Sequence, residues 1–253
     1  MPPFVAILFP MKKNSFTCIL CIFLIGLFST PLKGQTLEEI LEKMIQAQGG
    51  KTAIEKIKDM KITGTIEVLQ QGLIVPFTQY KKEPDKRRIE MEVMGSIQVQ
   101  LYDGEKAWEF DPKTGKALEI PGEDAVDIKR GSLALDWILY PENYGITLIH
   151  KGKEIIDDKD YIVLEQVYPE GGKVVNYVDP DTYLIHKIKS TILDEMMVEV
   201  ETETFLSDYK TVKGYVMAHT MTSYLHGKEY MKISFKKVKL NTRLPNHLFY
   251  ARK

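Results

Sequence analysis

Between residues 174 and 249, apolar and polar side chains alternate with a period of two, and this pattern constrains the fold more than any other feature of the chain. In 198–205, Val198, Val200, Thr202 and Thr204 fall on one side and Glu199, Glu201 and Glu203 on the other. In 229–240, Met231, Ile233 and Phe235 point one way, and Tyr230, Lys232, Ser234 and Lys236 the other. Short polar turns separate the runs: Asp179-Pro180-Asp181-Thr182, Lys213-Gly214 and His226-Gly227-Lys228. Successive side chains of a strand point to opposite faces, so the pattern specifies an antiparallel sheet with one apolar and one wet face. The apolar face needs a cover, and the nature of that cover is the functional question.

The same period runs upstream. Ile62, Gly64, Ile66 and Val68 share a face, and 75–82 returns after Gln70-Gln71-Gly72. Ile89, Met91 and Val93 point inward, and Ile97, Val99 and Leu101 repeat the pattern beyond Gly95. Turns are expected at Tyr102-Asp103-Gly104-Glu105 and at Asp111-Pro112-Lys113-Thr114-Gly115, with strands again at 146–155 and 161–168.

Two stretches break the alternation. Thr36-Leu37-Glu38-Glu39 is a capping box, after which Leu37, Ile40, Leu41, Met44 and Ile45 share a helical face. Gly49-Gly50 ends that helix, and Thr52-Ala53-Ile54-Glu55 repeats the capping pattern for a short second one. From 122 to 144 the apolar spacing is helical, with Gly131-Ser132 as a break. The expected fold is α+β: a strongly curved antiparallel sheet, an incomplete β-barrel of about eleven strands, with helices covering its concave face.

The N-terminus reads differently. Lys12-Lys13 precede an apolar run over 16–28, and small or turn-forming residues follow to Gly34, the layout of a secretory signal peptide. Met11 is the natural start on this reading, which makes residues 1–10 an upstream extension. Cleavage is expected between Gly34 and Gln35, leaving 35–253 as one domain exported to the periplasm. Acylation of Cys21 is the less favoured reading, because Leu20 stands where a small residue is required. Both cysteines, Cys18 and Cys21, lie in this segment, so the mature chain can form neither a disulfide nor a thiolate metal site.

Cleavage removes Lys12, Lys13 and Lys33 and no acid, leaving 31 basic against 35 acidic side chains and a net charge of −4. The charges are interspersed, so no nucleic-acid partner is implied. The five histidines (His150, His186, His219, His226, His247) have no metal-ligand spacing, and no nucleophile elbow, phosphate loop or dinucleotide fingerprint occurs. Asx-turns account for Asp157-Asp158 and Asp179/Asp181. No enzyme activity, metal or cofactor is expected. Methionines at 91, 94, 196, 217, 221 and 231 lie in or beside strands where β-branched residues are usual. Flexible, polarizable side chains there suit either a gap-filled core or a cavity for variable apolar shapes.

Four segments carry a resemblance. The stretch from Leu37 through Gln48-Gly49-Gly50 to Met60-Lys61-Ile62-Thr63-Gly64-Thr65 resembles the opening of outer-membrane lipoprotein-sorting proteins of the LolA/LolB-like superfamily. So do Tyr177-Val178-Asp179-Pro180-Asp181-Thr182-Tyr183-Leu184, Tyr209-Lys210-Thr211-Val212-Lys213-Gly214-Tyr215, and the ending from Val238 to Asn241 and Pro245 to Phe249. The resemblance implies an apolar cavity in a half-barrel, closed by a helical lid, that takes acyl chains of lipids or lipoproteins without chemistry. It implies a monomer that meets a membrane-associated donor or acceptor protein. The alternative on the same fold is an envelope sensor or interaction module that binds lipid or peptide and reports to a protein partner. The inward parity puts Met91, Leu101, Met217, Met221 and Phe235 on the concave face, with Trp137 facing them from the helical segment. Burying one methylene is worth about 0.8 kcal/mol, so an acyl chain needs no charged anchor, and none is visible in the sequence.

Overall fold

The computed structural model describes residues 34–193 and 198–251. The expected signal segment with Cys18 and Cys21 lies outside the described residues, as does Met196.

Two helices come first, α1 (Leu37–Ala47) and α2 (Lys51–Glu55). Six strands follow: β1 (Asp59–Val68), β2 (Leu73–Lys82), β3 (Lys86–Val93), β4 (Ser96–Tyr102), β5 (Ala107–Phe110) and β6 (Ala117–Ile120). Helix α3 (Gly122–Ser132) and two 3-10 turns, Leu135–Ile138 and Pro141–Tyr144, lead to the second strand group. That group is β7 (Thr147–Ile156), β8 (Lys159–Val167), β9 (Lys173–Val178), β10 (Ile185–Leu193), β11 (Glu199–Val212), β12 (Tyr215–Leu225) and β13 (Lys228–Leu240). All belong to one open antiparallel sheet of 13 strands, two more than expected. Ala117–Ile120 is one that the sequence reading passed over.

Strands pair with their neighbours in sequence except at the centre, where β1 pairs with β13, so β6 and β7 become the free edges. The sheet bends at this central seam. The β1–β13 register slips between Thr63 and Gly64, and a Cβ on Gly64 would lie 2.2 Å from the Ser234 carbonyl oxygen and 2.8 Å from the Phe77 ring. Only glycine lets the backbones approach this closely, and the Phe77 ring fills the place of the missing side chain.

The hairpin turns follow the chemistry of their residues. Met94-Gly95, Asp157-Asp158, Lys213-Gly214 and His226-Gly227 all have positive φ at both positions, the twist that a two-residue hairpin needs. Asp179 Oδ1 accepts the backbone N–H groups of Asp181 (2.8 Å) and Thr182 (3.1 Å), the expected Asx-turn. At α1 both halves of the capping box form. The second cap is a correction: α2 starts two residues early, with Gly50 at its N-cap and no side-chain cap, so Thr52 lies inside the helix.

Both faces of the sheet are covered. On the concave face Ile40 and Met44 of α1, Ile54 of α2 and Ile138 pack on Ile62, Phe77, Ile89, Ile162, Leu164, Val178 and Leu240. Ile128 of α3 packs on Tyr102 and Ala107, and Arg130 and Lys129 tie α3 to Gly171 and Glu170 in the β8–β9 turn. The segment between the two edge strands thereby spans the unclosed side of the barrel. On the convex face Leu244 and Phe249 of the C-terminal segment bury Leu101, beside Tyr80, Trp108 and Phe110.

Gly64→Ala is expected to lower unfolding free energy by about 1–3 kcal/mol, as overpacking does, because the clash is with backbone on one side. Urea denaturation checks it; an unchanged midpoint would contradict the tight β1–β13 seam.

Candidate functional site

The concave face joins four of the six residues expected there. Met91, Trp137, Met217 and Phe235 all pack against the main core cluster. Phe235 meets the Phe77 ring edge-on (6.1 Å between centroids), and the His219 ring lies 6.2 Å away on its other side. Met221 is half-buried at the margin, paired in register with Ile233. Leu101 is a correction, since it lies on the convex face under the C-terminal segment. The β3–β4 hairpin explains this: Val93 pairs with Ser96 and Met91 with Gln98, so odd residues of β3 share a face with even residues of β4.

The cover over this face is held mainly by packing, with few polar ties. The turn after α1 is anchored, because Val216 N–H donates to Gln48 C=O at 3.0 Å and Gly49 abuts Gly214 so closely that a Cβ would lie 1.9 Å from its oxygen. Further out, Lys43 Nζ donates to Tyr183 Oη (3.0 Å), and Tyr140 Oη donates to Glu55. Helix α1 is thus fixed at one end, while its body rests on apolar side chains.

The face is not uniformly apolar. Across β10, β11 and β12 it carries hydroxyls in pairs, Ser190 with Thr202 (2.9 Å) and Thr204 with Ser223 (2.9 Å). Asn176 reaches Gln166 at 3.5 Å on β9 and β8. Thr202, Ser223, Asn176 and Gln166 are all buried.

The concave face also carries two cations that the alternation of apolar residues did not single out. Lys81 on β2 and Arg87 on β3 are register partners on the concave face. Lys81 Nζ donates to the Leu133 carbonyl (2.7 Å) just after α3, and Arg87 Nε to Gln79 Oε1 (3.0 Å). Desolvation, then the neighbouring Arg87 charge, hold Lys81 down at about 7 against the usual 10.5. Burial likewise lowers Arg87. Lys81 borders a small space of about 20 Å³, open to solvent, with Ile57, Met60, Ala134 and Leu135 on its apolar walls. Arg87 borders an open groove of about 560 Å³ with Gln100, Glu109, Glu119, Asp124 and Asp127. Among the described residues no group of three or more His, Cys, Asp or Glu side chains is placed to hold a metal ion, and no helix is long and apolar enough to cross a membrane.

No protein-family model matches the chain, and no curated protein is similar to it in sequence. Solved structures are similar in fold. A LolA superfamily protein from Nitrosomonas europaea superposes with a TM-score of 0.59 at 16% identity, over 85% of this chain and 98% of that one. A domain described as an outer membrane lipoprotein-sorting protein, from Vibrio parahaemolyticus, gives 0.58 at 17% identity, over 84% and 96%. A DUF1329 family protein from Desulfovibrio piger gives 0.58 at 16%, over 84% and 96%. Likeness at such identities establishes the fold: the chain has the curved, open half-barrel of these proteins.

The lowered lysine fixes a pH dependence. In the unfolded chain Lys81 keeps its proton to about pH 10.4, whereas in the fold it loses it near 7, so the unfolded state binds more protons between these values. Stability is therefore expected to rise from about pH 7 to about pH 9.5, and Lys81→Met should flatten that rise. Urea denaturation across the range measures it, and an equal slope in the variant would contradict the desolvated ammonium.

Proposed function

We propose that the chain is a periplasmic, non-enzymatic carrier that takes the acyl chain of a lipid or lipoprotein on its concave face. The observation that carries this reading is the cover itself, a helix anchored at Gln48–Gly49 whose body meets the sheet through Ile40, Met44 and other apolar contacts. An acyl chain offers the sheet the same kind of surface. Displacing α1 then exchanges one apolar contact for another, and each methylene gained from water is worth about 0.8 kcal/mol. The superfamily fold and the lipoprotein-sorting description of one similar structure point the same way. On this reading the carrier acts as a monomer between a membrane-associated donor and an acceptor, and Met91, Trp137, Met217, Met221 and Phe235 meet the chain.

Two measurements test it. Trp108→Phe leaves Trp137 as the single tryptophan, so adding hexadecanoic acid or a phospholipid should shift its emission as the lid moves. Met221→Trp, at the margin of the cluster, should weaken that binding while costing less than about 1 kcal/mol of stability. No lipid in extracts of the purified protein together with an unchanged Trp137 emission would overturn the carrier reading; stable capture of one protein partner without lipid would favour the sensor.

Export is tested separately. N-terminal sequencing of the secreted protein should begin at or near Gln35, and a mature chain beginning at an acylated Cys21 would refute the cleaved signal peptide.

A further inference from the structure

Lys81 and Arg87 stand side by side on the concave face, and like charges directly opposite each other on a sheet are unfavourable unless something compensates them. Among the described residues neither is in an ion pair. Their contacts are neutral oxygens, the Leu133 carbonyl and the Gln79 amide. The acids on the Lys81 side are engaged elsewhere. Glu83 pairs with Lys58 (2.8 Å). Asp59 accepts from Thr242, Arg243 and Leu244, with distances of 2.6–3.3 Å. Of the acids along the groove beside Arg87, Glu119 pairs with Lys106 and Asp127 with Arg130.

Donors therefore remain. An ammonium has three N–H groups and a guanidinium five, and one of each is used here. Gly131 packs closely on the guanidinium: a Cβ there would stand 3.3 Å from Nη1, a tight contact. On the Lys81 side the walls are Ile57, Met60 and Leu135, all part of the main apolar cluster. Desolvated cations beside a hydrocarbon surface suit a molecule with an acidic end and an apolar body.

We infer that Lys81 and Arg87 form the head-group site of an anionic amphiphile, whose carboxylate or phosphate bridges the two cations while its chain runs along the apolar face beneath the lid. The acids bordering the Arg87 groove make that side negative, so the anion enters on the Lys81 side. This inference rests on the carrier reading and narrows its ligand class from any acyl lipid to an acidic one.

The test compares a fluorescent analogue of hexadecanoic acid with its methyl ester on delipidated mature protein. The acid should bind roughly ten- to hundredfold more tightly than the ester, the size of a charge-assisted contact. Arg87→Gln and Lys81→Gln should each reduce acid binding toward the ester's level and leave ester binding unchanged, with folding checked by thermal melting. Should either variant fail to fold, the comparison of acid and ester on the wild type decides alone. Equal binding of acid and ester by the wild type overturns the head-group site and leaves the carrier reading standing; binding of neither overturns both. Competition by hexadecyl phosphate against hexadecanoate separates the two sources of charge: whichever displaces the probe at lower concentration identifies the head group, and displacement by neither overturns the site.

Discussion

The antiparallel pairing of β1 with β13 determines the rest of the molecule. It joins the first and last strands at the centre of the sheet and pushes β6 and β7 out to the edges. Met60 pairs with Leu240, so β1 begins where β13 ends. The segments outside these strands therefore leave from one point. Asn241 and Asp59 hold that point together: Asn241 exchanges hydrogen bonds with Lys56 and Lys58, and Asp59 takes the N–H groups of 242–244. From there the helices upstream cover the concave face, and the tail downstream covers the convex one. The register shift at Gly64 lies in this same seam, and the shared origin gives each face its own cover.

How much of this was legible depends on whether the information is local. Periodicity, turn chemistry and the α1 capping box are set within a few residues, and they placed nearly every strand and the helical segment over 122–144. The face assignment is not local. Leu101 was grouped with Met91 because each alternates correctly within its own strand, but the two-residue turn at Met94-Gly95 pairs odd with even positions across the hairpin. The register was therefore available from the turn. What the turn could not reveal is that the convex face is also buried, since that depends on a tail more than a hundred residues away. The Thr52 cap failed for a simpler reason: the helix begins at Lys51 with Gly50 as its N-cap, so Thr52 is already the second helical residue and not the flanking position from which a side chain caps.

The polar residues of the concave face were hidden by a different assumption. The parity that puts Ile89 and Met91 inward also puts Arg87 inward, and Phe77 does the same for Lys81. Alternation of apolar residues alone does not single out the charged members of the same stripe. The hydroxyl pairs on β10 to β12 were likewise visible as threonines and serines on the inward side, but their mutual hydrogen bonds arise only from cross-strand register. Buried polar groups are informative because each must be satisfied. Here the hydroxyls satisfy one another, whereas the two cations meet only neutral acceptors.

That contrast bears on selectivity. An apolar surface discriminates poorly between hydrocarbons, because one methylene more or less changes binding by only about 1–3 kcal/mol. A carrier relying on its lid and sheet alone would take any chain of suitable length. A polar group left without its counterpart costs more than a methylene out of place, so discrimination has to come from the polar end of the ligand. On the carrier reading, the Leu133 carbonyl bonded to Lys81 belongs to the segment that covers the face. A ligand anion arriving at Lys81 competes for the same ammonium that holds this segment down. Head-group recognition and release of the cover would then be one event, with the hydrocarbon supplying affinity and the cations supplying the choice.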